Sequence, residues 1–330
     1  MTTTQGTFLE GAAGPSPLSF SSTALPVPTL IAATGERASR RFLEFFTAQI
    51  RNWGTRQQYS YAVSKFFSWC EQHKIAFDQI EPIVIATYIE SLSQMYSAPT
   101  VKLHLAAIRM LYDYLVTGQI VPFNPAAAVR GPKHVVKKGK TPVLTADEAR
   151  QLIDSIDVST IAGLRDRALI GVMVFSFARV SATLRMNVED CFTQGRRMWF
   201  RLHEKGGKHH EVPAHHHAEH YVDEYLLASG LHEKRIPLFR TLAANGLLTK
   251  NRMHRTDALR MIKRRAASVG LPDSICCHTF RATGITSYLQ NGGSLEHAMQ
   301  IACHESARTT KLYDRTCDDV SLDEIERILI

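Results

Sequence analysis

Between Thr55 and Lys74 the residues Tyr59, Ala62, Val63, Phe66, Phe67 and Cys70 fall at i, i+3, i+4, i+7, i+8 and i+11, which gathers them on one face of a helix. A second stripe, Val101, Leu105, Ile108, Tyr112 and Leu115, follows Ala98-Pro99-Thr100, where proline suits a first helical turn because the N–H it lacks has no partner there. The pattern stays helical from about Glu36 to Arg130 and predicts a compact domain of four or five helices. Further on, Thr145-Ala146-Asp147-Glu148 is a capping box that opens a helix through Leu152 and Ile153. The apolar run from Ala168 to Phe177 predicts a buried helix with Arg179 at its end. The period then changes. Arg197 to His203 and His210 to Pro213 are strand-like on either side of Gly206-Gly207, which predicts a hairpin with Lys205 at its tip. The expected fold is mainly α with a small antiparallel β-sheet, an α+β arrangement.

Polar stretches divide the chain. Residues 1–34, rich in Thr, Ser, Ala, Gly and Pro, read as a disordered tail, with Phe8, Leu9, Leu18 and Phe20 as its few apolar positions. Residues 35–130 form the helical domain, 131–143 a basic linker and 144–330 a second domain. The last segment carries an apolar stripe, Leu322, Ile325 and Leu329, suited to packing on a neighbouring protomer or back on its own domain. The stretch from Arg130 to Lys140 is too polar and too punctuated by Gly and Pro for a regular element. Its charges, Lys133, Lys137, Lys138 and Lys140 with Arg130, suit the tracking of phosphates.

Length and charge agree with this division. The 330 residues suffice for about two domains of ordinary size. A formal net charge of +8 favours a polyanionic partner, although alone it would equally suit a ribosomal or membrane-surface protein. On the helical domain Arg56, Lys65, Lys102 and Arg109, with Arg37, Arg40, Arg41 and Arg51, supply either a nucleic-acid face or an ordinary solvated one. Six cysteines show no framework spacing, and the neighbours Cys276-Cys277 would pair only with strain, so reduced thiols are expected. No apolar run approaches the roughly 18 residues of a membrane span. The first basic residue is Arg37, too late for a signal peptide, so the expected location is cytoplasmic and nucleoid-associated.

Four short blocks carry the chemistry. Phe177-Ala178-Arg179-Val180-Ser181 comes first and Glu204-Lys205-Gly206-Gly207-Lys208 second. His278-Thr279-Phe280-Arg281 is third. His304, which lies 26 residues after His278, forms the fourth with Tyr313, nine further on. In this order they resemble the tyrosine recombinase (phage integrase) family. The resemblance implies a helical core-binding (SAM-like) domain and a catalytic domain closing on DNA as a C-shaped clamp. It also implies metal-free transesterification through a 3′-phosphotyrosine and a Holliday junction. Tyr313 would be the nucleophile and Lys205 the acid that protonates the departing 5′-oxygen, with Lys208 its rival. Arg179 and Arg281 would hold the phosphate with planar, permanently charged forks, replacing a metal ion. His278 and His304 would donate to the phosphate or handle the tyrosine proton. No cofactor or metal is expected. The implied partner is double-stranded DNA with inverted half-sites, bound by a homodimer and recombined in a homotetramer, with DNA-bending accessory proteins.

Two departures mark a divergent member. The family commonly has an acid three positions after the first arginine, where it orients the guanidinium. Here that position is Ala182, and the neighbouring Thr183 is the nearest candidate acceptor. The usual Leu-Gly before the second histidine is Ala302-Cys303. The favoured reading is the integrase or transposition recombinase of a bacterial mobile element. The alternatives are Xer-like resolution of chromosome or plasmid dimers, a DNA-binding relative that has lost cleavage, and a type IB topoisomerase. A weaker rival comes from His216-His217-Ala218-Glu219-His220, which fits the H-x-x-E-H zinc-hydrolase pattern, as a histidine-rich surface easily does.

Overall fold

Asn52 starts one of the two longest helices of the N-terminal part by accepting a hydrogen bond from Thr55 N at 3.1 Å. In the computed structural model, which describes residues 26–136, 139–204 and 207–314, the chain divides into two units, Met1–Val135 and Val136–Ile330. The first contains α1 (Thr29–Ala33), α2 (Glu36–Glu44), α3 (Trp53–Gln72), α4 (Pro82–Met95) and α5 (Ala98–Thr117). Both expected stripes face its core: Ala62, Val63, Phe66, Phe67 and Cys70 of α3, and Val101, Leu105, Ile108, Tyr112 and Leu115 of α5, are all buried. Phe42, Phe45 and Phe46 complete an aromatic cluster with edge-to-face contacts of 5.1 and 4.8 Å.

The expected tail, residues 1–34, overlaps regular structure at its C-terminal end. Residues 29–33 form α1, and Ile31 is fully buried in the helical core, so one well-placed apolar side chain ties down a segment of disorder-like composition. Residues 1–25, with Phe8, Leu9, Leu18 and Phe20, lie outside the described residues, as do Lys137, Lys138, Lys205 and the stripe Leu322, Ile325 and Leu329.

The second unit opens on the expected capping box. Thr145 N donates to Glu148 Oε2 at 2.8 Å and Glu148 N to Thr145 Oγ1 at 3.2 Å, starting α6 (Ala146–Asp154). The buried helix is α7 (Ile161–Phe175), longer at its start than its apolar run because Thr160 caps Gly163 N. After α8 (Val180–Arg185) come β1 (Cys191–Gln194), β2 (Arg197–His203) and β3 (His209–Pro213), an antiparallel sheet in that order with Phe200 opposite Val212. The β2–β3 turn uses Gly207 at φ +77°, a conformation most side chains avoid. Then follow α9 (His216–Ser229), a second hairpin of β4 (Arg240–Leu242) and β5 (Leu248–Arg252), α10 (Arg255–Ser268), α11 (Cys277–Gln290), α12 (Leu295–Ile301) and α13 (Ala307–Lys311).

Helix α7 is the centre of this unit, with α9 and α11 packed against it. Gly284 permits the close approach of α11: a Cβ there would sit 2.1 Å from Val174 O and 2.9 Å from the Phe177 ring. At the other end of α7 the buried Asp166 accepts Arg165 Nη2 at 2.7 Å and, through its other oxygen, Arg265 Nη2 of α10 at 2.9 Å. Arg165 Nη1 also donates to Arg240 O at 2.9 Å, fastening β4 to the same cluster.

Candidate active site

The described members of the sequence-predicted catalytic set stand at element ends or, for Arg281, in the second turn of a helix. Helix α7 stops at Phe175, and Phe177 adopts φ +53°, a left-handed conformation rare for an aromatic residue. The chain then turns so that Arg179 stands at the N-cap of α8. Its half-exposed guanidinium donates through Nη1 to Glu204 Oε2 at 2.6 Å, and the Glu204 side chain is only 4% exposed. Ala182 points into the hydrophobic core. Thr183 does not orient the arginine, because its hydroxyl is itself a donor, at 3.3 Å, to Arg179 O. The carboxylate that Ala182 lacks therefore arrives from the base of the β2–β3 hairpin.

His278 and Arg281 occupy one face of the first turns of α11, whose start is capped by Cys276 N donating to Thr279 Oγ1 at 3.1 Å. Arg281 is almost wholly buried, and it is held rather than free. Nη1 donates to Phe177 O, the carbonyl turned by the left-handed residue, and Nη2 to Ala302 O at 2.6 Å. A fork expected to meet phosphate with both ends thus spends one N–H of each end on backbone. Nε has no hydrogen-bond partner among the described residues, an unsatisfied buried donor of the kind an anion would satisfy.

Helix α12 ends with Cys303 at φ +48° and His304 N bonded to Met299 O at 3.0 Å, a left-handed stop that sets down His304. The buried His304 ring has Nδ1 2.8 Å from Thr310 Oγ1 and stacks on the Tyr313 ring at 5.8 Å and 10°. Tyr313 is 8% exposed. Thr286 Oγ1 donates to its carbonyl at 2.9 Å, and its hydroxyl lies 2.8 Å from His278 Nε2. Just before it, Leu312 O accepts Gly139 N at 3.1 Å.

Burial governs the electrostatics. Desolvation, reinforced by Arg281 and Arg179, lowers His278 below the ordinary imidazole range and pushes His304 down to about 3, so both rings are neutral at pH 7. Burial and the neighbouring Arg179 lower Arg281 to about 10, against the opposing pull of Tyr313 and Glu204. Arg281 stays charged at neutral pH. The arrangement can therefore place two cations beside a phenol whose hydroxyl faces a neutral imidazole, which suits attack on a phosphodiester.

The basic residues proposed for DNA divide. Lys102, Lys133 and Lys140 are exposed. Arg56 donates to Ile50 O at 2.9 Å, and Arg109 donates to Ala126 O and Val129 O at 3.2 and 2.7 Å, so both brace their own unit. The Lys65 ammonium bonds the Tyr96 hydroxyl and lies 4.3 Å from that ring's centroid. At the N-cap of α9, His215 stacks on Phe175 at 4.3 Å, and no group of three or more His, Cys, Asp or Glu among the described residues is placed to hold a metal ion. The H-x-x-E-H pattern therefore does not gather a ligand set. The described cysteines Cys70, Cys191, Cys276, Cys277 and Cys303 are unpaired thiols.

Residue patterning missed the roles of Glu204, Thr286 and Thr310. The gap at Ala182 was the one signal pointing to Glu204. The two threonines had none, because their partners are far along the chain or in another element.

Residues 142–319 match the model of the phage integrase family, and residues 40–119 match the phage integrase N-terminal SAM-like domain. A tyrosine recombinase XerC of Thermodesulfovibrio yellowstonii is 27% identical over 264 residues, covering 78% of this chain and 84% of its own. A tyrosine recombinase XerD of Oceanobacillus iheyensis is 26% identical over 268 residues, 78% of this chain and 86% of its own. Among solved structures, the XerH site-specific recombinase bound to a palindromic difH substrate shares the fold at a TM-score of 0.68 and 17% identity, over 84% of this chain and 80% of that one. A lambda integrase solved as a tetramer bound to a Holliday junction shares it at 0.65 and 15%, over 86% and 79%. The catalytic-domain match spans more than half of the chain, and with the helical domain preceding it the protein belongs to the phage integrase family as a tyrosine site-specific recombinase.

Proposed function

We propose that the protein cuts and rejoins DNA through Tyr313, and the observation that carries this is the Tyr313 hydroxyl 2.8 Å from His278 Nε2 beside the buried Arg281. Tyr313 Oη bonds to phosphorus while the bond from phosphorus to the 5′-oxygen breaks. The phenolic proton passes to His278, whose pKa local desolvation and the two arginines lower, and Lys205 supplies the proton of the leaving 5′-hydroxyl. Arg179 and Arg281 neutralise the phosphorane, with the Arg281 Nε as an available donor. The 3′-phosphotyrosine keeps the energy of the broken bond, so a second 5′-hydroxyl reverses the step without ATP. Two protomers on inverted half-sites and four in synapsis would exchange strands through a Holliday junction, a partner that the solved lambda integrase tetramer is seen to bind.

The biological setting in this reading is a mobile element. The departures at Ala182 and Ala302-Cys303 support a member diverged from chromosomal recombinases. Dimer resolution is the second reading, favoured by the relatives named XerC and XerD. The reading of a relative without cleavage finds less support, since Glu204 gives Arg179 an acidic partner at 2.6 Å. The test of cleavage is a nicked suicide substrate, on which the wild type should accumulate a covalent adduct and Tyr313→Phe should bind but form none. An adduct from Tyr313→Phe would move the nucleophile elsewhere. Plasmids carrying the flanking repeats of the gene's own locus separate the two settings by yielding either insertion or dimer resolution.

A further inference from the structure

Glu204 is ion-paired with one of the two arginines proposed to hold the phosphate, and no motif assigns it a task. Its carboxylate is almost fully buried at the end of β2, where an unpaired charge would be costly, and the ion pair that the structure gives it is with Arg179, at 2.6 Å. Its backbone is fixed as well: Glu204 N donates to Lys208 O at 2.8 Å, closing the base of the hairpin loop. Its charge also reaches Arg281, opposing the burial that lowers that guanidinium. Meanwhile the position on Arg179's own helix from which an acid would reach it is Ala182, sunk in the core. Arg179 is half-exposed and long, so without a fixed acceptor its planar fork would sample many orientations.

We propose that Glu204 is a positioning residue that sets the plane of the Arg179 guanidinium for the phosphate, from the same hairpin that carries Lys205. The orienting acid has moved from the helix to the hairpin, one residue before the proposed acid catalyst. Arg179 is therefore aligned only while the hairpin base is in place, which joins phosphate binding and leaving-group protonation in one element. The inference rests on the reaction proposed for Tyr313.

The test compares the wild type, Glu204→Ala and the isosteric Glu204→Gln on three suicide substrates: an ordinary phosphodiester, a methylphosphonate at the cleaved position, and a 5′-bridging phosphorothiolate. Misplacing a charged donor by about an ångström is worth on the order of 10²-fold, so both variants should bind DNA like the wild type and cleave the ordinary substrate about 10- to 100-fold more slowly. The methylphosphonate has no negative nonbridging oxygen to neutralise, so there the defect should largely vanish. On the phosphorothiolate, whose thiolate leaves unprotonated, it should persist. A defect that persists on the methylphosphonate, or that the phosphorothiolate relieves, would overturn the assignment and place Glu204 behind Lys205. Wild-type rates in both variants would overturn it equally. If Glu204→Ala does not fold, Glu204→Gln, which preserves shape and removes charge, decides alone. A wild type that forms no adduct would refute the reaction itself, an outcome distinct from all of these.

Discussion

Lys205 and Lys208 flank the two hairpin glycines, and the surroundings of Lys208 separate their suitability as acids. Lys208 Nζ donates to Glu305 Oε1 at 2.7 Å, and that hydrogen bond raises its pKa, so it holds its proton more firmly than a leaving oxygen requires. Lys205→Ala should lose cleavage of an ordinary substrate and recover much of it on the 5′-bridging phosphorothiolate, while Lys208→Ala should show no such selective recovery. Rescue in Lys208→Ala but not in Lys205→Ala would exchange their roles. The histidines make a second prediction. Both have folded-state pKa values below the unfolded imidazole value of about 6.5, so below that pH the unfolded chain binds protons that the folded chain refuses. Their stabilising effect is complete above about pH 6.5 and is lost as pH falls, for His304 toward about 3 and by up to about 1.4 kcal/mol per pH unit. Denaturant melts of the DNA-free protein at pH 7 and 5 should show the loss, and His304→Gln should reduce it. An unchanged slope in that variant would mean that His304 is not held neutral.

Elements rather than single side chains bring the arginines together, and the tightest joint is between α7 and α11. Gly284→Ala would drive a methyl onto Val174 O and the Phe177 ring, the residue whose carbonyl holds Arg281. Such overpacking should cost about 1 to 3 kcal/mol and slow cleavage beyond what stability alone explains, measured as melting midpoint and adduct rate together. A variant as active and stable as the wild type would show that this joint is slack. The long helices were legible in the sequence because α3 and α5 each bury one continuous stripe, and the capping box fixed the start of α6. The β2–β3 hairpin was legible from two glycines between alternating runs. Strands β1, β4 and β5 were not, since runs such as Arg240–Leu242 are three residues long and become strands only by pairing with a partner. Helix α1 was hidden for a related reason, its one anchor, Ile31, being surrounded by loop-like composition. Of the site, the motif residues could be read directly. The orientation of Arg179 could not, because its partner lies 25 positions away in a hairpin whose approach no local pattern encodes.

The whole chain carries a net charge of +8, and its exposed lysines, Lys102, Lys133 and Lys140 among them, are the ones suited to phosphates. Affinity for any duplex should fall steeply with salt, and substituting one such lysine should reduce the slope by about one counterion, whereas Arg109→Ala should act chiefly on stability through the lost Ala126 and Val129 carbonyl bonds. Binding isotherms at several salt concentrations separate these effects. Because arginines and neutral histidines are proposed to do the catalytic work, cleavage should continue in excess EDTA, and metal dependence of that step, as opposed to synapsis, would refute the scheme. The way Tyr313 is fastened has a further consequence for the assembly. Its carbonyl is held by Thr286, the residue before it by Gly139, and its hydroxyl faces His278, all within one chain. With Tyr313 held in this way on DNA, each protomer is expected to cut the strand beside its own arginines, so that inactive copies lend one another no parts. Mixing Tyr313→Phe with Arg281→Ala protomers on one site should yield no adduct at any ratio, while diluting the wild type with either should reduce cleavage in simple proportion to the wild-type fraction.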